Sequence, residues 1–184
     1  MLQETKASEA RPMNRTTVER ASDRELVVTR TFNGRARTVF EAMTKPELVK
    51  RWWAPRSIGV TLFECEADVR VGGSYRYVFG KDPAKPMAFS GVYKELVPHT
   101  RIVCTQIFEP MRSAGEGIIT ISLEERDGKT HMVERQLYPS KEVLDGTLQS
   151  GMERGMRESL DQLDALVASR AETAAGLGAV TRRP

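Results

Sequence analysis

Residues 141–168 carry the longest helical pattern in the chain and read KEVLDGTLQSGMERGMRESLDQLDALVA. Their apolar side chains recur at steps of three or four residues: Leu144, Leu148, Met152, Met156, Leu160, Leu163 and Val167. This spacing places them on one stripe of a helix, and such a stripe is normally buried against another element. Ser140 is suited to cap the helix start, while Gly151, Gly155 and Ser159 would let the helix approach a sheet closely. The pattern predicts one long C-terminal helix that covers the core.

Period-two alternation of β-branched and aromatic residues dominates the chain before this helix. It predicts strands at residues 25–32, 58–66, 74–79, 87–96, 101–108, 117–125 and 129–137. Asp127-Gly128 is a favoured type I′ turn pair and is expected to join the last two strands as a hairpin. Residues 36–54 show helical spacing instead and predict two short helices after the first strand.

The resulting order of elements, β-α-α-β-β-β-β-β-β-α, predicts an α+β fold. A mostly antiparallel sheet of about six to seven strands must bury one of its faces. The C-terminal helix is the remaining apolar element that is large enough to cover that face. The simplest arrangement is a strongly curved sheet wrapped around this helix.

The composition is that of one globular domain. Of 184 residues, 40% are hydrophobic and 29% are charged, as in ordinary folded proteins. No apolar run approaches the ~18 residues of a membrane helix, and the N-terminal residues lack the apolar core of a signal peptide. We therefore expect a cytoplasmic protein without membrane insertion. Residues 1–24 and 170–184 lack a sustained apolar period, which predicts a mobile N-terminal arm and a flexible basic tail around a domain at 25–169.

The net charge of +3 and the pI of about 9.0 would suit a protein that binds nucleic acid. However, the two predicted ends hold eight of the 28 basic residues and five of the 25 acidic residues, so 20 of each remain in 25–169. A groove that follows phosphates needs clustered positive charge in the folded part. We therefore expect no nucleic-acid partner.

Residues that usually carry metal or nucleophilic chemistry are few in this chain. Cys65, Cys104, His99 and His131 lack the spacing of a metal site or of a disulfide framework. The sequence also lacks a nucleophile elbow, a phosphate-binding loop and a dinucleotide fingerprint. We expect neither a metal nor a cofactor.

Five groups of residues follow one another along the chain: TKPEL (44–48), RWWAP (51–55), DVRVGG (68–73), GVYKELVP (91–98), and GMERGM with SLDQL (151–163). Together they resemble the Bet v 1-like, START-related (SRPBCC) superfamily of helix-grip proteins. Within it, they are similar to the group related to the C-terminal domain of the Hsp90 ATPase activator Aha1. The resemblance covers residues 25–168. The group often has an aromatic residue near the position of Gln106, Trp at that of Met156 and Pro at that of Val71.

The resemblance implies a cavity between the sheet and the C-terminal helix that takes a small lipophilic or aromatic molecule. Aromatic and methionine side chains are expected to line it: Trp53, Tyr75, Tyr77, Phe79, Phe89, Tyr93, Met132, Met152 and Met156. Methionine is flexible and suits a variable ligand. The alternative is that these side chains only pack the core.

Polar residues on one face of the strand at 130–138 are the sharper signal. The family pattern turns Met132, Glu134 and Gln136 inward. Two further polar side chains would join them: Gln106 and Glu95. A buried carboxyl group needs a partner or must take up a proton, so Glu134 would orient a polar ligand group or act as a general base, as the candidate catalytic residue. The alternative is a one-residue shift of register, which would turn Glu134 to solvent.

Three functions are compatible with these residues. The first is binding, as a carrier or sensor of a small lipophilic molecule. The second is catalysis, by a cyclase- or hydrolase-like enzyme that uses Glu134. The third is a protein-interaction role, as an Hsp90-type co-chaperone or stress-related partner, which would need an exposed apolar patch. The sequence favours them in that order and leaves open whether the protein is a monomer or a homodimer.

Overall fold

The chain folds around one eight-stranded antiparallel sheet. The computed structural model describes residues 15–180, with side chains to residue 171. The strands are β1 (Thr17–Arg20), β2 (Glu25–Phe32), β3 (Thr61–Ala67), β4 (Ser74–Gly80), β5 (Met87–Val97), β6 (Arg101–Phe108), β7 (Gly117–Arg126) and β8 (Lys129–Leu137). In space they follow the order β1-β2-β8-β7-β6-β5-β4-β3.

Within residues 15–180, four α-helices accompany the sheet. They are α1 (Ala36–Thr44), α2 (Pro46–Val49), α3 (Lys141–Gln149) and α4 (Met152–Val180), with short 3₁₀ turns at Arg56–Ile58 and Glu109–Ala114. Leu163 and Val167 of α4 are fully buried, as are Val28 and Phe32 on the inner face of β2. The predicted α+β architecture, a curved antiparallel sheet around the C-terminal helix, is confirmed.

The turn between β7 and β8 has the predicted type I′ character. Asp127 and Gly128 both have positive φ angles, of 51° and 73°, as this turn requires. Arg126 and Lys129 pair across it. This hairpin fixes the register of β8, the strand on which the polar candidate residues lie.

The predicted N-terminal arm contributes a strand, so the sheet has eight strands and not the expected six to seven, and β1 lies before the expected boundary at residue 25. β1 pairs with β2 along its whole length. Thr16, just before it, is bonded to two inner side chains: its hydroxyl accepts from Arg30 at 2.9 Å and its carbonyl accepts from Arg157. Sequence patterning missed β1 because its four residues include a single half-buried apolar side chain, Val18. Residues 1–14 of the predicted arm lie outside the described residues.

The predicted single C-terminal helix is interrupted. α3 ends at Gln149, and Gly151 adopts a left-handed conformation with φ of 76° before α4 begins. A left-handed glycine just after a helix is a common terminator, and the apolar stripe continues across it, so periodicity alone does not reveal the break. The Ser140 N-cap is confirmed, since its hydroxyl accepts from the Val143 amide at 3.3 Å.

The predicted flexible tail at 170–184 overlaps the end of α4. The helix continues to Val180, so the C-terminal boundary of regular structure lies beyond residue 169. Residues 181–184 lie outside the part of the chain that the structure describes.

Candidate ligand-binding site

Six of the predicted site residues form one connected group of rings, here called the aromatic cluster: Trp53, Tyr75, Tyr77, Phe79, Phe89 and Tyr93. The Trp53 ring centroid lies 5.0 Å from that of Phe79 and 6.1 Å from that of Phe89. Phe79 and Phe89 stack at 5.3 Å, and all these separations are favourable for aromatic pairs. Trp53 and Phe89 are half-buried, whereas the other four are buried. The accessible edge of the cluster therefore lies at Trp53 and Phe89.

The three tyrosine side chains of the cluster have partners within the protein. Tyr75 donates to the backbone carbonyl of Thr105 at 2.8 Å, while the side chains of Tyr77 and Tyr93 interact with each other. Burial raises the pKa of Tyr93 to about 12 and raises those of Tyr75 and Tyr77 as well. These hydroxyls therefore stay protonated at neutral pH and are suited to holding the sheet together.

Trp53 is positioned by α4. The hydroxyl of Ser159 donates to the Trp53 carbonyl at 2.7 Å. The side-chain amide of Gln162 donates to the carbonyls of Trp52 and Ala54, at 2.6 and 2.8 Å. These three bonds fasten the segment after α2 to the helix, so the Trp53 ring is held against the aromatic cluster.

The small residues of α4 serve this contact and not the predicted close approach to the sheet. A Cβ atom on Gly155 would lie 3.3 Å from Cγ of Pro55, and Ser159 bonds to Trp53 as described. Gly151 has open space around it and ends α3 instead. Gly155 and Ser159 therefore mark where α4 meets the 52–55 segment.

The polar face of β8 points inward, as predicted. Met132 is 0% exposed and Gln136 is 6% exposed, while His131 and Arg135 are exposed to solvent. In the β2–β8 register, Met132, Glu134 and Gln136 stand opposite buried β2 side chains: Arg30, Val28 and Leu26, respectively. The alternative register that would turn Glu134 outward is not adopted.

A short chain of hydrogen bonds ends at Glu134. The Tyr138 hydroxyl donates to Oε1 of Gln136 at 2.8 Å, and Nε2 of Gln136 donates to Oε1 of Glu134 at 2.6 Å. Each donor points towards the carboxyl group, which is thus the terminal acceptor. Both polar atoms of the Gln136 side-chain amide are thus hydrogen-bonded, whereas the Glu134 carboxyl group receives one hydrogen bond.

Glu134 faces inward, and few interactions compensate its carboxyl group for the loss of hydration. Loss of hydration raises its pKa above the usual range, and the Gln136 bond only partly opposes this shift. Among the described residues, no cationic side chain forms an ion pair with it. The side chain is nevertheless only half-buried. An acid in this position can accept a bond from a ligand or exchange a proton with it.

The prediction that Glu95 faces the interior is wrong. A β-bulge lies between Tyr93 and Glu95 in the β5–β6 pairing. The extra residue reverses the alternation, so Leu96 packs against the core. The Glu95 carboxylate instead bonds to Arg101 at 3.1 Å and is 46% exposed.

Gln106 is on the inner face of β6, as predicted, two residues after the buried Cys104. Phe108 continues this face and touches Phe89, with ring centroids 5.2 Å apart. On β7, Ile121 stands directly opposite Glu134. Cys104, Phe108 and Ile121 were not among the predicted site residues, although the same period-two pattern that selected Gln106 could have found them.

The two methionines of α4 are both half-buried, and Met156 packs against the core. Six of the inward-facing side chains that keep part of their surface accessible are here called the inner patch: Trp53, Phe89, Gln106, Ile121, Glu134 and Met156. Met152 follows the break at Gly151 and lies one helical turn before Met156.

Two open concavities lie elsewhere on the surface. One, of about 330 Å³, is bounded by the end of β3 and the start of β4. The other, of about 530 Å³, lies along the exposed side of α4 and beside Leu148. Neither occupies the predicted position between sheet and helix, where the rings of the aromatic cluster are in mutual contact. Among the inward-facing side chains, those of the inner patch keep accessible surface.

The two thiols are buried and poorly reactive. Burial raises the pKa of Cys65 to about 11 and that of Cys104 to about 12, so the nucleophilic thiolate is scarce at neutral pH. Within the described residues, no group of three or more His, Cys, Asp or Glu side chains is arranged to hold a metal ion.

Residues 33–168 match the family model of Activator of Hsp90 ATPase homolog 1-like protein. The chain belongs to this family. It is thereby an Aha1-like member of the SRPBCC/Bet v 1-like superfamily, and the resemblance drawn from the five motifs is confirmed. No curated protein matches the sequence.

Solved structures support the same fold for this Aha1-like protein. One from Rhodobacter sphaeroides has a TM-score of 0.76 at 23% identity and covers 84% of this chain and 99% of its own. One from Chromobacterium violaceum has a TM-score of 0.68 at 28% identity and covers 80% of this chain and 99% of its own. One from Mycobacterium smegmatis has a TM-score of 0.72 at 21% identity and covers 83% of this chain and 96% of its own.

Membership of the Aha1-like family supports ligand binding or a co-chaperone-like interaction as the kind of role. The helices within residues 15–180 include none with the length and apolar content needed to cross a bilayer. The choice between the two roles depends on the side chains of the inner patch and of the outer surface.

Proposed function

We propose that this Aha1-like protein binds a small lipophilic or aromatic molecule at the inner patch, between the sheet and α4. The supporting observation is Glu134, a carboxyl group that faces inward and keeps accessible surface among aromatic and aliphatic side chains. Ligand sites typically combine a mostly apolar lining with a few polar groups that fix orientation. The inner patch has this composition, with Gln106 as its second polar member.

Binding requires adjustment of the patch, because the neighbouring rings already touch. Met156 is the natural element to move, since its unbranched side chain adopts several conformations at little energetic cost. Met152 lies one helical turn before Met156 and directly follows the break at Gly151. The ligand thus enters by displacing methionine side chains, while the buried tyrosines stay in place.

The test is titration with a neutral aromatic probe, 2-(1-naphthyl)ethanol, followed by ¹H–¹⁵N NMR. We expect the largest shifts at the Trp53 indole and at backbone amides around Glu134 and Ile121. Met156→Trp fills the patch with a larger side chain and is expected to abolish these shifts. Met111→Trp, at an exposed position, is the matched control and is expected to leave them unchanged.

Shifts confined to the outer surface would contradict the proposal. So would binding that survives Met156→Trp while the variant keeps the wild-type spectrum elsewhere. Circular dichroism of both variants establishes that the fold is retained.

Catalysis is the second candidate, because Glu134 faces inward with accessible surface and has a raised pKa, which suits a group that exchanges a proton with a substrate. This role requires a substrate atom within hydrogen-bond reach of the carboxyl group. Glu134→Gln is expected to abolish turnover and to preserve binding of the neutral probe. Unchanged turnover in that variant would exclude Glu134 as the base.

An Hsp90-type partner has less support from the surface. The exposed large apolar side chains of the described residues are spread over several loops and strand ends: Val69, Val71, Met87, Val97, Met111, Ile118 and Leu137. They lie singly or in small groups, such as Ile118 and Leu137, which pair across β7 and β8, and exposed apolar residues of this kind are normal on folded proteins. Co-purification with the chaperone would reverse this order of preference.

A further inference from the structure

We propose that the preferred ligand is an amphiphilic amine, whose ammonium group binds the carboxyl group of Glu134 while its apolar body lies towards the aromatic cluster. This inference deepens the proposed function and depends on it. The inner patch then distinguishes amines from neutral or acidic molecules of the same shape.

The hydrogen-bond chain of β8 leaves Glu134 able to accept a further bond. Its Oε1 atom receives the Gln136 amide, and within the described residues its Oε2 atom receives no hydrogen bond. The Gln136 amide is oriented by Tyr138 on its other side. The carboxyl group is therefore held by one neighbour and presents its second oxygen to an incoming donor.

No cation of the described chain neutralises this acid. Arg30 is the closest candidate by register, because it faces inward opposite Met132, two residues from Glu134. Its guanidinium group instead bonds to Asp161 and Asp164 of α4. Tyr138 and Cys104, the titratable groups that interact with Glu134, are neutral when protonated. Within the described residues, the acid thus either takes up a proton or receives its positive partner from a bound molecule.

The apolar part of the ligand has apolar side chains beside Glu134. Ile121 stands directly opposite Glu134 on β7, and the same row continues through the buried Ile102 of β6 to Leu96 of β5. The neighbouring row runs from Ile119 of β7 through Cys104 of β6 to Tyr93 of the aromatic cluster. β8 and β5 are three strand spacings apart, or about 14 Å, so an elongated molecule with one amine at its end and an apolar body directed towards the aromatic cluster matches this arrangement.

An ammonium group is expected to bind Glu134 more tightly than an alcohol or a carboxylate does. It forms a charge-assisted hydrogen bond with the carboxylate, which is stronger than a bond between neutral groups. When the free protein holds Glu134 protonated, the carboxyl proton passes to solvent as the ammonium binds, so the pair is overall neutral. A carboxylate ligand would bring a second negative charge next to the same acid.

The experiment compares three probes that share one ring system: 2-(1-naphthyl)ethylamine, 2-(1-naphthyl)ethanol and 1-naphthaleneacetate. At pH 7 we expect wild-type protein to bind the amine at least tenfold more tightly than the alcohol, and the acid most weakly. In Glu134→Gln the amine preference is expected to fall below about twofold, with alcohol affinity unchanged. Glu95→Gln, which alters a carboxylate on the outer face, is the matched control and should keep the wild-type order.

The outcomes distinguish the proposed amine preference from the proposed binding at the inner patch. If the alcohol binds at the inner patch as tightly as the amine, or if Glu134→Gln keeps the amine preference, the amine proposal is overturned and binding at the patch stands. If none of the three probes binds, both fail. Calorimetry in two buffers of different ionisation enthalpy, repeated from pH 5 to pH 8, adds a second readout: where wild-type Glu134 is protonated, amine binding releases its proton, whereas Glu134→Gln has no such proton to release at any pH.

Discussion

The hydroxyl of Ser159 donates to the backbone carbonyl of Trp53 at 2.7 Å, across 106 residues of sequence. This bond helps to hold the Trp53 ring at the accessible edge of the aromatic cluster. Ser159→Ala removes the donor and leaves a partly buried carbonyl without it. We expect unfolding free energy to fall by about 1 kcal/mol and Trp fluorescence to shift towards the red.

Urea denaturation measures the first effect and emission spectra the second. Ser113→Ala, an exposed serine in the Glu109–Ala114 turn, is the control and is expected to change neither. Equal stability of Ser159→Ala and wild type would show that the bond does not position Trp53.

Gly91 is predicted to tolerate no side chain. A Cβ atom there would overlap the carbonyl oxygen of Thr105 and lie 2.7 Å from Cε1 of Tyr75. Because backbone must move to relieve this overlap, Gly91→Ala is expected to destabilise the protein by about 1–3 kcal/mol or more. Gly146, in α3 with open space around it, is the matched site, and Gly146→Ala is expected to stabilise by about 0.5–1 kcal/mol. Thermal melts of both variants should therefore move in opposite directions.

Two aspartates that share Arg30 are expected to differ in importance. Asp164 is 13% exposed and also accepts the Asn33 amide at 3.0 Å, whereas Asp161 is 68% exposed. Loss of a partner from a buried charge typically costs about 3–5 kcal/mol, while an exposed ion pair contributes about 1 kcal/mol or less. Asp164→Ala should thus be far less stable than Asp161→Ala in chemical denaturation, and the reverse order would contradict the assigned burial of this pair.

Glu134 gives stability a defined pH dependence. Because its pKa is raised in the folded state, folding favours the protonated acid, and this contribution is lost as pH rises above the unfolded-state value. Glu134→Gln removes the titrating group. We therefore expect the variant to gain stability relative to wild type between pH 5 and pH 8, reaching about 1–3 kcal/mol at the upper end.

Guanidinium titrations at the two pH values provide the measurement for Glu134→Gln. A variant that is less stable than wild type at pH 8 would show that the carboxylate is satisfied in the folded state. Glu95→Gln, which removes an exposed ion pair, is expected to change stability by about 1 kcal/mol or less at both values.

Alternation and turn chemistry predicted the parts of the fold that repeat over several residues. The Asp127-Gly128 hairpin followed from its turn residues. The inward face of β8, with Glu134 and Gln136, followed from the family resemblance, because alternation alone left a one-residue shift of register open. Glu95 was misplaced because a bulge inserts one residue without altering the pattern of residue types. The break at Gly151 was missed for a related reason, since the apolar stripe continues past it.

The predicted cavity illustrates a different limit of sequence reasoning. Side-chain types identify which residues face inward, but not how completely their rings occupy the space between them. How far the rings fill this space is set by contacts such as those of Trp53 with Tyr77, Phe79 and Phe89. What remains for a ligand is set by the half-buried members of the inner patch, and their role in binding stays a prediction.

The four residues of β1 bear on how the protein can be shortened. A chain that starts at Glu25, the boundary suggested by composition, would lose the strand that caps β2 and the Thr16 contacts to Arg30 and Arg157. The backbone amides and carbonyls along that side of β2 would then be free to pair with another molecule, and exposed strand edges of this kind promote aggregation. Recombinant forms meant for binding studies should therefore begin before Thr16, because poor solubility in a shorter form would reflect the uncovered edge and not the ligand site.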